Sequence, residues 1–200
     1  MTTVSKLGEP VRKRRGDAER NVERILDAAV DLLGQGGSPS IGEVARAAGV
    51  ARQTVYAHFP HREALMAAVV DLLSRTTTEV LASLDLREGG ALAALDRWVA
   101  AAWDVIDRYP ALLNPDLAAA AGPDADHAPI VASLRPLLRR GQRAGEITRE
   151  LEVDWLVDAV IALGHLAGQQ VSSGQRTPAE AGAAFRASAR RLCSAGPRSR

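Results

Sequence analysis

The stretch Ser40 to Phe59, SIGEVARAAGVARQTVYAHF, constrains this 200-residue chain more than any other. Ser40 with Glu43 three residues on has the spacing of a capping box, in which hydroxyl and carboxylate each bind an otherwise orphaned backbone N–H. Ile41, Val44, Ala45 and Ala48 fall on one face of a short helix, and Gly49 suits the left-handed position just past its end. Val50 follows as an apolar plug. A second short helix begins near Ala51, with Val55 and Phe59 inward at i, i+4 spacing and Arg52, Gln53, Thr54 and Tyr56 on the outer faces. Two short helices joined by a tight Gly turn make a helix-turn-helix, whose second helix enters the DNA major groove. The same spacing also suits a helical hairpin with no DNA role.

The run continues as Tyr56-Ala57-His58-Phe59-Pro60-His61-Arg62-Glu63-Ala64-Leu65. Together with Ile41-Gly42-Glu43-Val44-Ala45-Arg46-Ala47-Ala48-Gly49-Val50 it closely resembles the DNA-binding domain of the tetracycline-repressor (TetR) family of transcriptional regulators, over about residues 20–70. The rest resembles that family only in length and helix pattern. The resemblance implies an all-α protein of about nine helices, with an N-terminal three-helix helix-turn-helix domain joined to a helical ligand-binding and dimerisation domain. It further implies a ligand-responsive regulator, a repressor that binds an inverted-repeat operator on double-stranded DNA as a homodimer and is released by a small-molecule effector. Two positions depart from the family pattern. Ala51 replaces the Ser or Thr that usually caps the recognition helix, and His61 stands where Lys is usual, which makes that contact weaker or pH-dependent.

Charge supports a local nucleic-acid surface. Residues 1–62 carry ten Lys/Arg against seven Asp/Glu, whereas residues 63–200 carry fifteen against seventeen. A weakly basic head on a weakly acidic body fits a regulator better than a protein that coats DNA. The single Cys193 rules out an internal disulfide framework and reads as a small apolar residue near the end of the last helix. The sequence has no 18-residue apolar run and no signal-peptide core, so a cytoplasmic protein with no membrane partner is expected.

Taken in order, residues 1–16 with Arg12-Lys13-Arg14-Arg15 read as a flexible basic arm, either a solvated tail or one that reaches a minor groove. Asp17 is the expected cap of the first helix, whose stripe Val22, Ile25, Leu26, Ala29, Leu32 and Leu33 ends at Gly34. Residues 17–62 thus form the DNA-binding head, and residues 63–200 the body. Pro60 stops the recognition helix, and a fourth helix runs from near His61 to about Leu84, roughly 36 Å, long enough to link head and body. A fifth helix runs from the Gly89-Gly90 break to about Arg108. After it come a Pro-punctuated short helix and loop, then a seventh helix over about Ile130–Ala144, where Pro136 implies a kink or a late start. The eighth helix, from near Val153 to about Ser173, is apolar almost all round, so it must be buried on more than one side. The simplest second cover is the same helix of another chain. With the ninth helix, Pro178 to about Ala195, it predicts a four-helix dimer interface using Trp155, Ala159, Leu163, Leu166, Ala184 and Ser188.

For the head, Arg52 suits guanine and Gln53 adenine in bidentate contacts. Ser40, Thr54, Tyr56 and His61 suit phosphates, while His58 serves either phosphate or packing. For the body, Trp98, Trp103, Tyr109, Leu112, Asn114, Leu134, Leu138 and His165 are candidate walls of a pocket for a largely apolar effector. No HExxH, GxSxG or Gly-rich phosphate loop occurs, so no catalytic, cofactor or metal site is expected. Asp124, Asp126 and His127 read as a solvated loop rather than metal ligands. The alternative function is a helical small-molecule-binding or catalytic protein whose hairpin is only structural. The exposed donors Arg52, Gln53, Thr54 and Tyr56 discriminate against it, because a structural hairpin has no reason to gather them on one face.

Overall fold

The structure, a computed structural model, describes residues 9–121 and 127–196. It is all-α, with helices α1 (Glu9–Gly34), α2 (Ile41–Ala47), α3 (Arg52–His58), α4 (Arg62–Ala82), α5 (Ala91–Arg108), α6 (Pro115–Ala121), α7 (Ala128–Ala144), α8 (Val153–Ser172) and α9 (Pro178–Cys193). A 3-10 turn, Pro110–Leu113, joins α5 to α6.

Helix α1 starts earlier than the sequence suggested. It begins at Glu9, so Asp17 lies inside the helix instead of capping it, and Arg12–Arg15 are helical rather than part of a flexible arm. Pro10 is compatible with that start, because a proline in the first turn lacks only an N–H that would have no helical partner. Residues 1–8 of the expected arm lie outside the described residues. Helix α7 likewise starts at Ala128, so Pro136 sits inside it and the late-start reading fails.

The helix-turn-helix forms as its residues require. Ser40 and Glu43 make the full capping box, and Gly49 takes φ +63°. Ile25, Ala29 and Leu33 of α1 pack on Val44, Ala45, Val55 and Phe59, all buried. Leu65, Met66, Val69 and Leu73 of α4 belong to the same cluster, so the head's core continues past residue 62 into the first half of α4. Ala111 and Leu117, from the 3-10 turn and α6, also reach into it. A second cluster fills the body with Leu95, Trp98, Leu134, Leu138, Leu156, Val160 and Phe185. Helix α9 is fixed at its start by another capping box, Thr177 with Glu180.

Helix α8 buries Leu156, Val157, Val160, Gly164, Ala167 and Gly168 on one side. On the other, Trp155 is 64% exposed and Leu166 49%. A face this apolar and this uncovered, on a helix whose opposite side is core, is the feature that positions everything expected of assembly.

Candidate functional site

Arg52, Gln53 and Tyr56 stand exposed on α3, with Thr54 half-buried beside them. Buried Val55 and Phe59 root the helix in the head's core. The Arg52 Nη2 donates to the Tyr56 hydroxyl at 3.1 Å, and its guanidinium lies 5.5 Å from that ring's centre. One turn of helix therefore presents a pre-ordered pair of polar groups, with Gln53 alongside. Ala51 makes no side-chain cap, as its missing hydroxyl dictates.

The other sequence-predicted contacts have structural employment. The Ser40 hydroxyl accepts from the Glu43 N–H at 3.3 Å and donates to the Glu43 carboxylate at 2.8 Å. The Ser40 backbone N–H also donates to that carboxylate, and these bonds hold its pKa below the ordinary value. His61 is the N-cap of α4, its Nδ1 accepting from the Ala64 N–H at 3.2 Å. The same Nδ1 lies 3.2 Å from a Glu63 carboxylate oxygen, so the ring sits between a backbone donor and an acidic side chain at the helix end. His58 is half-buried with its ring tilted 55° against Phe59, a buttress position.

Two arginines went unnoticed in the sequence. Arg24 of α1 donates to the carbonyls of Ala48 and Gly49, tying α1 to the turn between α2 and α3. Arg62, the first residue of α4, meets Asp116 of α6 at 2.7 Å and Ser38 at 3.0 Å, while the Ser38 hydroxyl donates to the same Asp116 oxygen at 2.6 Å. These hydrogen bonds, from Ser38 first and then Arg62, hold the Asp116 carboxyl below the usual carboxylate value. No short-range spacing reports such partners, since they lie 24 to 78 residues apart.

Asn114 does not line the apolar cavity beside Trp98, but it does line a second cleft with Leu112 and His165 between the end of α1, the 3-10 turn and α8. It is buried, and its amide donates to the carbonyls of Leu33 and Gly37 at 2.9 Å each, bolting the turn before α6 to the end of α1. Carbonyls at and just past a helix end, where the helical ladder runs out, are what a side-chain amide satisfies well. Tyr109 packs against the head's cluster, not the cavity. Trp103 lies against Gly182 of α9, and Leu134 and Leu138 are solid core. Of the eight expected wall residues, Trp98, Leu112 and His165 do line a cavity.

That cavity lies among α4, α5, the 3-10 turn, α7, α8 and α9 and holds about 70 Å³. Its walls are mostly apolar, including Leu81, Ile106, Leu113, Val160 and Phe185, with Ser74, Thr77, His127 and His165 as polar groups. Trp98 turns its ring to the space while its Nε1 donates to Ser133 at 2.8 Å. A separate apolar groove runs along α8 and α9, lined by Trp155, Ala159, Ala162, Leu163, Leu166, Ser188 and Leu192, with Asp158 at its edge. Five of the six expected dimer residues line it. Ala184 does not, and sits half-buried on α9. Asp124 and Asp126 lie outside the described residues. No helix among those described is long and apolar enough to cross a membrane.

A helix-turn-helix head on a helical, cavity-bearing body is the architecture of the described residues. Residues 25–69 match the family model for bacterial regulatory proteins of the tetR family. The helix-turn-helix segment is therefore similar to that of the tetR family, and the whole fold resembles that of the family's solved regulators. Over 111 residues it is 32% identical to the HTH-type transcriptional repressor LfrR of Mycolicibacterium smegmatis, covering 52% of this chain and 59% of that protein. Over 63 residues it is 40% identical to the HTH-type transcriptional regulator AcrR of Shigella flexneri, covering 30% and 29%. The matches thus span between about a third and three-fifths of those relatives' lengths. The crystal structure of LfrR from Mycobacterium smegmatis in complex with proflavine superposes with a TM-score of 0.64 at 25% identity, over 87% of this chain and 96% of that one. The fold is also that of FadR from Bacillus subtilis in complex with stearoyl-CoA, TM-score 0.68 at 20% identity, over 85% and 96%.

Proposed function

We propose that this chain is a homodimeric, ligand-responsive transcriptional repressor acting in the cytoplasm. Its head binds one half of an inverted-repeat operator, and its body, from about residue 63 on, senses an effector and dimerises. The observation that carries the reading is α3, where Arg52, Gln53 and Tyr56 stand together in solvent on a helix anchored by buried Val55 and Phe59. In the major groove Arg52 and Gln53 reach base edges and specify sequence. Thr54, Tyr56 and His61 reach phosphates and fix the register. Ser40 reaches a phosphate only through a hydroxyl already shared with Glu43, so its part is mainly to hold α2.

The effector is small and largely apolar, matching the lining of the cavity beside Trp98. A planar aromatic compound of the kind LfrR holds, proflavine, is the first class to screen. At about 70 Å³ the cavity is far below the ~300–1,000 Å³ of a drug-sized site, so binding must widen it.

Selection of genomic fragments by the purified protein, followed by a salt titration, tests the proposal. The expected result is an inverted repeat bound by a dimer, with affinity falling steeply as salt rises. Retention of no fragment, with and without candidate effectors, would overturn it and favour the rival reading of a purely structural hairpin.

A further inference from the structure

At the mouth of the cavity, His127 and His165 bring their Nε2 atoms to 3.2 Å, with ring centres 5.0 Å apart and planes tilted by 48°. The two residues come from different helices. His127 is the residue before α7 and makes no side-chain cap to it, while His165 stands on the exposed side of α8. Both line the cavity and the open surface beside it, where Asp158 joins them.

Two arrangements give such a nitrogen separation. In a straight N–H···N hydrogen bond the rings lie end to end, and at this N···N distance their centres would be about 5.5 Å apart. Two imidazoles converging on one tetrahedral ion at about 2.0–2.1 Å place their nitrogens about 3.3–3.4 Å apart and their centres about 5.1–5.2 Å apart. The observed pair of distances fits convergence better than the straight bond.

We propose that His127 and His165 form a two-imidazole site for a first-row divalent ion, with Zn²⁺, Ni²⁺ and Cu²⁺ as the fitting class. Imidazole nitrogen suits these borderline ions and not Mg²⁺ or Ca²⁺, and Cu²⁺ binds tightest by the usual order of affinities. Among the described residues no cluster of three or more His, Cys, Asp or Glu forms. Two imidazoles are thus the described residues' contribution to the coordination. Asp158 sits where it can accept from a metal-bound water. An ion held here pins the first turn of α7 to α8 and stiffens the cavity's mouth. The inference does not rest on the regulatory reading, since neither DNA nor effector enters it.

The test is calorimetric titration of the tag-free full chain with ZnCl₂, and Cu²⁺ electron paramagnetic resonance on the same protein. The expected result is one ion per chain and a Cu²⁺ spectrum with nitrogen hyperfine structure. His165→Gln and His127→Gln should each lower the Zn²⁺ affinity at least about tenfold, because each removes one of the two imidazole ligands. The double variant of the other two histidines, His58→Gln with His61→Gln, should leave it unchanged. Absence of saturable binding, or affinity kept within twofold in His165→Gln, would overturn the site. So would its loss in the His58/His61 variant alone. His165 is exposed, so His165→Gln remains a fair test even if circular dichroism shows that His127→Gln disturbs the start of α7.

Discussion

Gln53 has no packing or capping duty: it is exposed on α3, and its amide is free to choose a partner in the groove. Gln53→Ala should therefore leave the fold alone and relax base preference at one position per half-site, costing about 1–3 kcal/mol there. Competition between operator variants differing at one base pair measures it. Tyr56→Phe should instead weaken binding to all sequences alike, as loss of a phosphate contact does. The Arg52–Tyr56 bond adds a sharper readout, because a hydroxyl that chiefly aims Arg52 would concentrate the loss at a guanine position. If both variants shifted preference at the same base pair, the division into base-reading and phosphate-binding residues would be wrong. At this scale the sequence was most informative where function depends on spacing along one helix: Ser40 with Glu43, Gly49, Val55 with Phe59. It was silent on Arg24 and Arg62, whose carbonyl and carboxylate partners are brought close only by tertiary packing.

Between elements, the joint that matters is the one from α6 to α4 and α1. Asn114 holds the end of α1, and Asp116 holds both the first residue of α4 and Ser38. Asp116 titrates below its ordinary value of 3.8 because the folded joint favours the carboxylate. A depressed folded pKa means that its contribution is fully present above the unfolded value. That contribution is lost as pH falls through the folded one. Asp116→Asn removes the contribution at every pH. The stability gap between wild type and Asp116→Asn, measured by urea unfolding, should be constant near neutrality and close below pH 3.8. A gap that persists unchanged into that acid range would show that the joint does not depend on the carboxylate's charge. Helix identities were legible because caps, breakers and apolar periods are local. The assignment of Tyr109 to the pocket failed, and Asn114 lines a different cleft, because an inward residue next to two units carries no label saying which unit it serves. The same limit put Trp103, Leu134 and Leu138 in the wall when they are core.

For the whole molecule, the uncovered face of α8, with Trp155 and Leu166 exposed, is the surface on which the proposed dimer rests. Ala159→Arg or Leu163→Arg puts a charge into the groove that a second chain would dry out, and each should convert a dimer to monomer or aggregate in sedimentation. An intact dimer for both would move the interface elsewhere. In the proposed dimer, the pairing of α8 and α9 would fix the distance between the two α3 helices, which must match half-sites about 34–36 Å apart or a multiple of a DNA turn. In the proposed switch, the effector acts on that distance. To enter a space of about 70 Å³ it must displace walls, and the walls are not equally yielding. Trp98, Val160 and Phe185 are locked in the body's core. The segment Ser74–Leu81 belongs to α4 itself, and Leu113, with Leu112 just before it, sits one step before Asn114 and three before Asp116. Gly168 lets that 3-10 turn lie against α8, for a Cβ there would stand 2.2 Å from Leu113. Expansion toward either wall moves the head relative to the dimer axis. A ligand shifts this equilibrium only by its affinity difference between the two states, and operator must weaken effector by the factor by which effector weakens operator. Trp98 fluorescence, read in a Trp155→Phe background to remove the exposed indole, should report an effector that binds free protein more tightly than operator-bound protein. Asp116→Asn should shrink that ratio while leaving affinity for the free protein nearly unchanged, because Asp116 transmits the displacement without touching the cavity. Equal binding to free and operator-bound wild type would refute the switch. An undiminished ratio in Asp116→Asn would refute this route through the fold and leave α4 alone to carry it.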